Sequence, residues 1–218
     1  MNKKKRARAV KTSSDTRREQ IVTAALGVVG ARGMKALTIT AIAREIGVVP
    51  SAIYRHFKGK SEVIDAIVEL IGRRIQSNIE TVCTETDDAV ERLFLMHSRH
   101  ISMIRENNGI PRLIFSEEIC GEKTESGLKQ RLYAIIRSYR RQVTEIVREG
   151  QERGVLCNDT APEAVSLMFL GLIQPVAFLH HISDGAFDVP LETERSWQLF
   201  CSSIRPAPQN PESRNMNK

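Results

Sequence analysis

Apolar positions recur every three to four residues along most of the chain, which is the spacing of amphipathic α-helices. The first such segment begins at Asp15, whose side chain suits a helix cap, and ends before Gly33. Two short segments follow, for which the pattern predicts helices at about 40–47 and 50–57. Three helices are therefore expected within the first sixty residues.

Capping residues and helix breakers mark the ends of the two short helices. Thr38 or Thr40 is expected to cap the second helix, Gly47 to end it, and Pro50 suits the first turn of the third. Ser61 is expected to cap a long fourth helix after the break at Gly59. Two short helices joined by a tight glycine turn and preceded by a packing helix make a helix-turn-helix.

The rest of the chain is also predicted to be helical, with no strand and no internal repeat. Helices are expected at about 62–79, 90–104, 111–120, 126–150, 162–182 and 191–204. The predicted fold class is all-α, with a three-helix helix-turn-helix head at the N-terminus and a helical body after it.

Charge is distributed unevenly along the 218 residues. Residues 1–60 carry 14 Lys and Arg against 3 Asp and Glu, a net charge of +11, whereas the remainder carries 18 against 23, a net charge of −5. This asymmetry favours a polyanionic partner for the first quarter of the chain. A membrane surface would attract it too, but no membrane partner is expected, because we expect no apolar run long enough to span a bilayer.

The N-terminus and the cysteines favour a cytoplasmic protein. The first residues are basic, yet no apolar stretch follows them as it would in a secretory signal. The four cysteines form no CxxC pair, which favours reduced thiols and disfavours zinc; they are Cys83, Cys120, Cys157 and Cys201.

The third predicted helix carries the residues best suited to nucleic acid. Ile53 and Phe57, four residues apart, are expected to point inward and anchor it. The outward positions offer hydroxyl groups, small side chains and cations, which suit base edges and phosphate oxygens; they are Ser51, Ala52, Tyr54, Arg55 and His56, followed by Lys58 and Lys60. The alternative is a solvated polar face on an ordinary core helix.

The stretch LTITAIAREIGVVPSAIYRHFKGKSEVI, residues 37–64, resembles the N-terminal domain of the TetR family of bacterial transcriptional regulators. The pattern consists of Thr38, the Ile42–Ala43 pair, Gly47–Val48, the run Ile53–Phe57 and Lys60. The resemblance covers about residues 15–75. It implies a DNA-binding head at 15–61 and a ligand-binding and dimerisation body at 62–204. Residues 1–14 show no apolar periodicity and residues 205–218 could form no core, so a disordered basic tail and a disordered C-terminal tail are expected there.

The resemblance also implies roles for single residues of the head. Phosphate contacts are implied for Thr38, Thr40, Tyr54, His56 and Lys60, base proximity for Ser51, Ala52 and Arg55, and a base or backbone contact for Arg44. Val49 departs from the family, which often has Ser or Thr at this cap. The cations of residues 1–11 either add DNA contacts or serve solubility alone.

The predicted helix at 162–182 is apolar nearly all round, although a surface helix needs only one apolar stripe. Together with the helix at 191–204 it is interpreted as a homodimer interface, as the family implies. The alternative is a helix fully buried in a monomer. Pro175 is expected to kink this helix, because it removes one backbone hydrogen bond.

The family usually carries a small-molecule pocket in the body. Candidate lining residues are largely apolar with a few polar groups: His97, Ile101, Phe115, Leu132, Tyr139, Met168 and Phe169. Ordinary core packing is the alternative for each. His97 with His100 and the adjacent His180 and His181 do not complete a metal-ligand set, so no metal and no cofactor are expected.

The favoured function is a DNA-binding transcriptional regulator of the repressor type, released from a palindromic operator by a small, largely apolar effector. The alternative is a DNA-binding dimer that is controlled by a protein partner or acts architecturally, without a small-molecule ligand. An enzyme is not expected, because no nucleophile–base set, carboxylate pair or Gly-rich phosphate loop is present in the sequence.

Overall fold

The computed structural model describes residues 14–121, 127–183 and 186–206. Within these ranges the chain forms helices and no strand, as the apolar spacing predicts. The helices are α1 (Ser14–Arg32), α2 (Ile39–Glu45), α3 (Pro50–Tyr54), α4 (Lys60–Glu85), α5 (Ala89–Glu106), α6 (Gly109–Ile114), α7 (Glu117–Cys120), α8 (Leu128–Glu152), α9 (Pro162–Ile182) and α10 (Val189–Ile204). The predicted tails at 1–14 and 205–218 lie outside the described residues, apart from Ser14, Arg205 and Pro206.

The helix-turn-helix forms where the caps and breakers predict it. The Thr38 hydroxyl oxygen accepts a hydrogen bond from the backbone N–H of Ala41 at 3.1 Å and so caps α2. Gly47 turns the chain with φ of 68°, in the left-handed region that favours glycine. The third helix is shorter than the predicted 50–57, because the N–H groups of both His56 and Phe57 converge on the Ile53 carbonyl and close the helix in a turn.

Two helix boundaries differ from the prediction. The fourth helix starts at Lys60 after Gly59, so Ser61 is not its cap. The carboxylate of Glu62 folds back instead and accepts a hydrogen bond from the Lys58 N–H at 2.6 Å. The single helix predicted at 111–120 is two short helices, α6 and α7, with the break at 115–116.

Buried apolar residues form two separate cores. The first, the head-side core, joins α1–α3 and the first half of α4 to body residues that include Ile110, Leu113, Leu128 and Leu132. The second, the body core, joins the rest of α4 to α5, α8, α9 and α10. Ile75 packs against both. The division therefore runs through α4 and α8, whereas the predicted domain boundary lies at residues 61–62.

The head is fixed to the body by a close backbone approach between α1 and α6. A Cβ atom on Gly109 would lie 2.3 Å from the Leu26 carbonyl oxygen, and one on Gly30 would lie 3.0 Å from the Gly109 nitrogen. Only residues without a side chain fit here, since any larger side chain would push the two helices apart. The two helices are therefore in backbone contact at this point.

Helix α9 runs unbroken through Pro175 over the predicted range 162–182. Its length and its mean hydropathy of 1.6 over 18 residues would allow it to cross a membrane, so the expectation that no run is long enough was wrong by this measure. A core helix of a folded domain has the same composition, and Phe169 and Ile173 of α9 are buried in the body core.

Candidate nucleic-acid interface

Helix α3 is held by its inner face and presents its outer face to solvent. Ile53 and Phe57 are fully buried, as predicted from their spacing. Tyr54 is 57% exposed, and Ser51 and Arg55 are also exposed. Ala52 and His56, the other two outward positions, are half-buried. The arrangement leaves a hydroxyl, a phenol and a guanidinium on one short helix, suited to duplex DNA.

Arg18 on α1 fixes the end of α3. Its guanidinium donates a hydrogen bond to the His56 carbonyl and lies 4.2 Å from the centroid of the Phe57 ring. Glu62 lies 3.9 Å from the same guanidinium. This positioning residue was missed in the sequence analysis, because nothing local to Arg18 signals a contact 38 residues away.

The start of α2 offers groups for phosphate. Thr38 and Thr40 are exposed, and the Thr38 hydroxyl hydrogen stays available after its oxygen has capped the helix. Arg44 is exposed in the last turn of α2. At the start of α3, Val49 makes no side-chain capping bond, so the departure from the family pattern has a structural consequence.

The two lysines that follow α3 have different environments. Lys58 is exposed, as a phosphate-binding cation must be. Lys60 is half-buried, and its ammonium lies 3.4 Å from both the Met34 carbonyl oxygen and the Glu118 carboxylate. In this structure Lys60 therefore ties the head to α7, and its contact with a phosphate stays a prediction.

Comparison with known proteins agrees with this geometry. The model of bacterial regulatory proteins of the TetR family matches residues 21–67, and a model described as the C-terminal region of YsiA-like proteins matches residues 56–203. The chain belongs to the TetR family. It is a DNA-binding regulator, and the all-α fold with an N-terminal helix-turn-helix is that of the family.

The individual relatives have low sequence identity to this chain, but each match covers most of both chains. The nucleoid occlusion factor SlmA of Vibrio vulnificus strain YJ016 is 23% identical over 195 residues, covering 89% of this chain and 98% of that protein. The fatty acid degradation regulator FadR of Bacillus halodurans superposes with a TM-score of 0.71 at 20% identity, over 85% and 94% of the chains. FadR of Bacillus subtilis in complex with stearoyl-CoA gives 0.69 at 23%, over 86% and 99%.

The structure brings four of the seven residues predicted to line a ligand pocket together and separates the other three. His97, Ile101, Tyr139 and Phe169 are buried in or beside the body core. Leu132 lies near the N-terminal end of α8, and this end of the helix packs in the head-side core. Phe115 and Met168 are exposed, with Phe115 edge-on to Phe178 at 5.8 Å between ring centroids. Periodicity shows which helix face is apolar, but not which core that face enters.

An aromatic cluster fills the centre of the body. His97 stacks on Trp197 with ring centroids 5.4 Å apart, and Phe169 lies edge-on to both His97 and Tyr139. The Tyr139 hydroxyl lies 3.4 Å from Nδ1 of His100. Burial lowers the pKa of His97 to about 4, and burial together with the charge of His97 lowers the pKa of His100 to about 4. Both imidazoles are therefore neutral at pH 7.

Two cavities open on the sides of α5. One, of about 540 Å³, lies against α4 and has Arg74, Asn78 and Arg99 in its lining. The other, of about 410 Å³, lies between α5 and α10 and has His97, Ile101 and Trp197 in its lining. Of the predicted ligand residues, His97 and Ile101 thus face this second cavity.

Helices α9 and α10 carry an apolar surface on the side away from the body core. Its α9 members recur at helical spacing, and Leu199 on α10 is 69% exposed. We define this outer face of α9 and α10 by its large exposed apolar residues, Leu167, Met168, Phe178, Leu179, Ile182, Leu191 and Leu199. Contiguous exposed apolar surface of this kind is typical of protein–protein contacts.

Proposed function

We propose that the protein is a cytoplasmic homodimeric repressor, which binds a palindromic operator through α3 and is released by a small, largely apolar effector. The observation that carries the proposal is the presentation of α3: two buried anchors, Ile53 and Phe57, hold a short helix whose other side chains face solvent. The net charge of +11 over residues 1–60 supports binding to a polyanion.

The outer face of α9 and α10 supports the dimer. Leu167 and Leu199 are 59% and 69% exposed, which costs free energy in a monomer in water. A second copy related by a two-fold axis covers both helices with the same two helices of its own. The two heads then repeat the same contacts on the two halves of a palindrome.

Contacts between head and body support effector control. The head-side core already includes residues of α6, α7 and α8. At Gly30 and Gly109 the backbones of α1 and α6 are too close for a side chain to fit between them. An effector that favours a body conformation with different α6 placement changes the spacing of the two heads. The size of the response follows from the differential affinity of the effector for the two conformations.

The DNA-binding role is tested by selection of bound duplexes from random DNA, followed by affinity measurements on variants. Tyr54→Ala removes a phosphate contact and should weaken binding to every duplex by about 1–2 kcal/mol per site. Changes at Ser51 or Arg55 should alter sequence preference instead. The Tyr133→Ala variant is the control, because Tyr133 is equally exposed but lies on α8 in the body. Unchanged affinity of Tyr54→Ala would contradict the docking of α3.

The basic N-terminal segment is tested by deletion. If Lys3, Lys4, Lys5, Arg6, Arg8 and Lys11 contact DNA, a chain that lacks residues 1–11 should show a flatter dependence of log affinity on log salt concentration. An unchanged slope would assign these cations to solubility.

A second function, control by a protein partner without a small-molecule ligand, is favoured by two observations. The nucleoid occlusion factor SlmA of Vibrio vulnificus strain YJ016 is matched over 98% of its length. The centre of the body is also filled by aromatic rings: His97 stacks on Trp197, and Phe169 lies edge-on to His97. A thermal-shift screen with metabolites separates the two functions. An effector raises the melting temperature of a ligand-controlled regulator, whereas no metabolite should change the melting temperature of a partner-controlled protein.

A further inference from the structure

The groove between α5 and α10 has the form of a ligand site. Its volume of about 410 Å³ suits a compound of modest size. Along α5 it is lined by His97, Ile101 and Arg105, which are four residues apart and share one helix face. On the α10 side it is lined by Thr193 and Trp197, among others.

One wall of the groove is aromatic. The Trp197 ring lies 5.4 Å from the Phe94 ring and stacks on the His97 imidazole with an angle of 22° between the two planes. Phe94 and His97 are on α5, so their rings reach across to α10 at one end of the groove. Flat, weakly polar surface of this kind favours a planar apolar guest.

Two polar atoms in the lining lack partners. Nε2 of His97 and Oγ1 of Thr193 are both buried, and neither has a hydrogen-bond partner among the described residues. His97 as a whole is only 1% exposed. Burial of an unpaired polar atom is costly, so native structures rarely retain one without a reason. Both residues line the same groove, so a ligand that enters it between α5 and α10 is placed to supply the missing hydrogen bonds.

We propose that this groove binds a small planar, largely apolar compound through one hydroxyl or carbonyl group, which pairs with His97 Nε2 and Thr193 Oγ1 while the ring lies against Trp197. The inference rests on the proposed function, because such a compound would be the effector. Burial lowers the pKa of His97 to about 4, so its ring is neutral at pH 7 and pairs with a neutral group.

Charge at the groove does not select an ionic ligand. Arg105 and Glu194, of opposite sign, both line it. An uncharged guest is therefore favoured over a strongly anionic or cationic one.

The groove is connected to the head through α5. This helix ends at Glu106, and α6 begins three residues later at Gly109, whose backbone touches α1. A guest that separates α5 from α10 displaces the C-terminal half of α5 and with it α6. Occupancy of the groove is thereby communicated to the DNA-binding helices.

The test uses Trp197, the single tryptophan of the sequence, as a reporter inside the groove. The full chain is labelled with 5-fluorotryptophan and titrated with 2-naphthol, followed by its one ¹⁹F resonance. We expect a saturable shift with 2-naphthol. Naphthalene has the same ring system without the hydroxyl, so it should bind about tenfold more weakly, because it leaves both polar atoms unpaired.

Variants tie the selectivity to the two atoms. His97→Phe keeps an aromatic ring against Trp197 and removes Nε2, while Thr193→Val removes Oγ1 at nearly constant volume. Each should weaken 2-naphthol about tenfold and leave naphthalene unchanged. Thr144→Val removes a buried hydroxyl on α8 that pairs with the Arg140 carbonyl outside the groove, and should leave both probes unchanged. The melting temperature of ligand-free His97→Phe should rise, since an unpaired nitrogen is gone.

Three results would overturn the proposal: no ¹⁹F shift with 2-naphthol, equal affinity for the two probes, or full 2-naphthol affinity in both groove variants. DNA binding is measured separately on ligand-free protein with a selected duplex. Binding of duplex without 2-naphthol binding would contradict the groove alone. Groove binding without duplex binding would support the groove and contradict the proposed function.

Discussion

The head-side region and the body differ in the number of polar side chains that they bury. Among the described residues, α1, α2, α3 and the first half of α4 hold no buried polar or charged side chain. The described buried polar and charged residues lie instead on the body helices α5, α8 and α9, and they are Arg92, His97, Thr144 and Ser166. Buried side-chain atoms without a partner also fall within residues 78–193. The apolar packing beneath α3 fixes the position of this helix, whereas the buried polar side chains of the body need partners that the packing does not always supply.

The largest expected effect breaks the head-side core. Phe57→Ala empties a fully buried site under α3 and removes the ring beneath Arg18, so the free energy of unfolding should fall by about 4 kcal/mol. DNA binding should be lost with it, because α3 loses its anchor.

Denaturant titration measures the change, with Phe94→Ala as the control. Phe94 is on α5 in the body and is 44% exposed, so its truncation should cost about 1 kcal/mol and leave DNA binding intact. Equal losses in the two variants would remove the contrast between the two regions.

The next effect concerns pH and the body core. The pKa of His97 is lowered by burial from 6.5 to about 4, so its contribution to stability is complete above pH 6.5. Between pH 6.5 and 4 the unfolded chain takes up the proton first, and about 3 kcal/mol of stability should be lost.

Urea titrations of the wild type and of His97→Phe at pH 7, 5.5 and 4.5 test this contribution. The free energy of unfolding should fall less steeply with falling pH in His97→Phe than in the wild type. The carboxylates are common to both proteins, so their contribution cancels in the comparison. Parallel declines would place His97 in contact with water or with an acceptor that stabilises its charged form.

A smaller effect concerns the close approach of α1 and α6, which connects the head to the body. Gly109→Ala forces a methyl group against the Leu26 carbonyl and should cost about 2 kcal/mol. Gly27→Ala on the same helix, α1, meets nothing within 4 Å and should stabilise the protein by about 0.5–1 kcal/mol. Thermal unfolding of the two variants measures the difference. If both substitutions stabilise the protein, α1 and α6 are farther apart than the structure shows.

Local sequence signals predicted the helices better than their contacts. The caps and breakers at Thr38, Gly47 and Pro50 act within one turn, and α9 occupies the predicted range 162–182. The burial of Ile53 and Phe57 follows from their spacing of four residues, although α3 ends at Tyr54 and Phe57 lies in the turn after it.

Roles that depend on packing between distant segments were not predictable in this way. Lys60 was expected at a phosphate but faces Glu118, which lies 58 residues away. Leu132 and Met168 share an apolar pattern with true body-core residues, yet one enters the head-side core and the other faces outward. Periodicity fixes which side of a helix is apolar, whereas the choice of neighbour follows from the whole fold.

The central claim is that two heads, held by the outer face of α9 and α10, bind duplex DNA together. The most direct test measures stoichiometry and affinity on a selected palindrome and on its half-site, for the wild type and for Leu199→Glu. The wild type should bind the palindrome as two chains and far more tightly than the half-site, and Leu199→Glu should lose that advantage. A monomeric wild type that binds half-site and palindrome equally, or binds neither at low salt, would contradict the account.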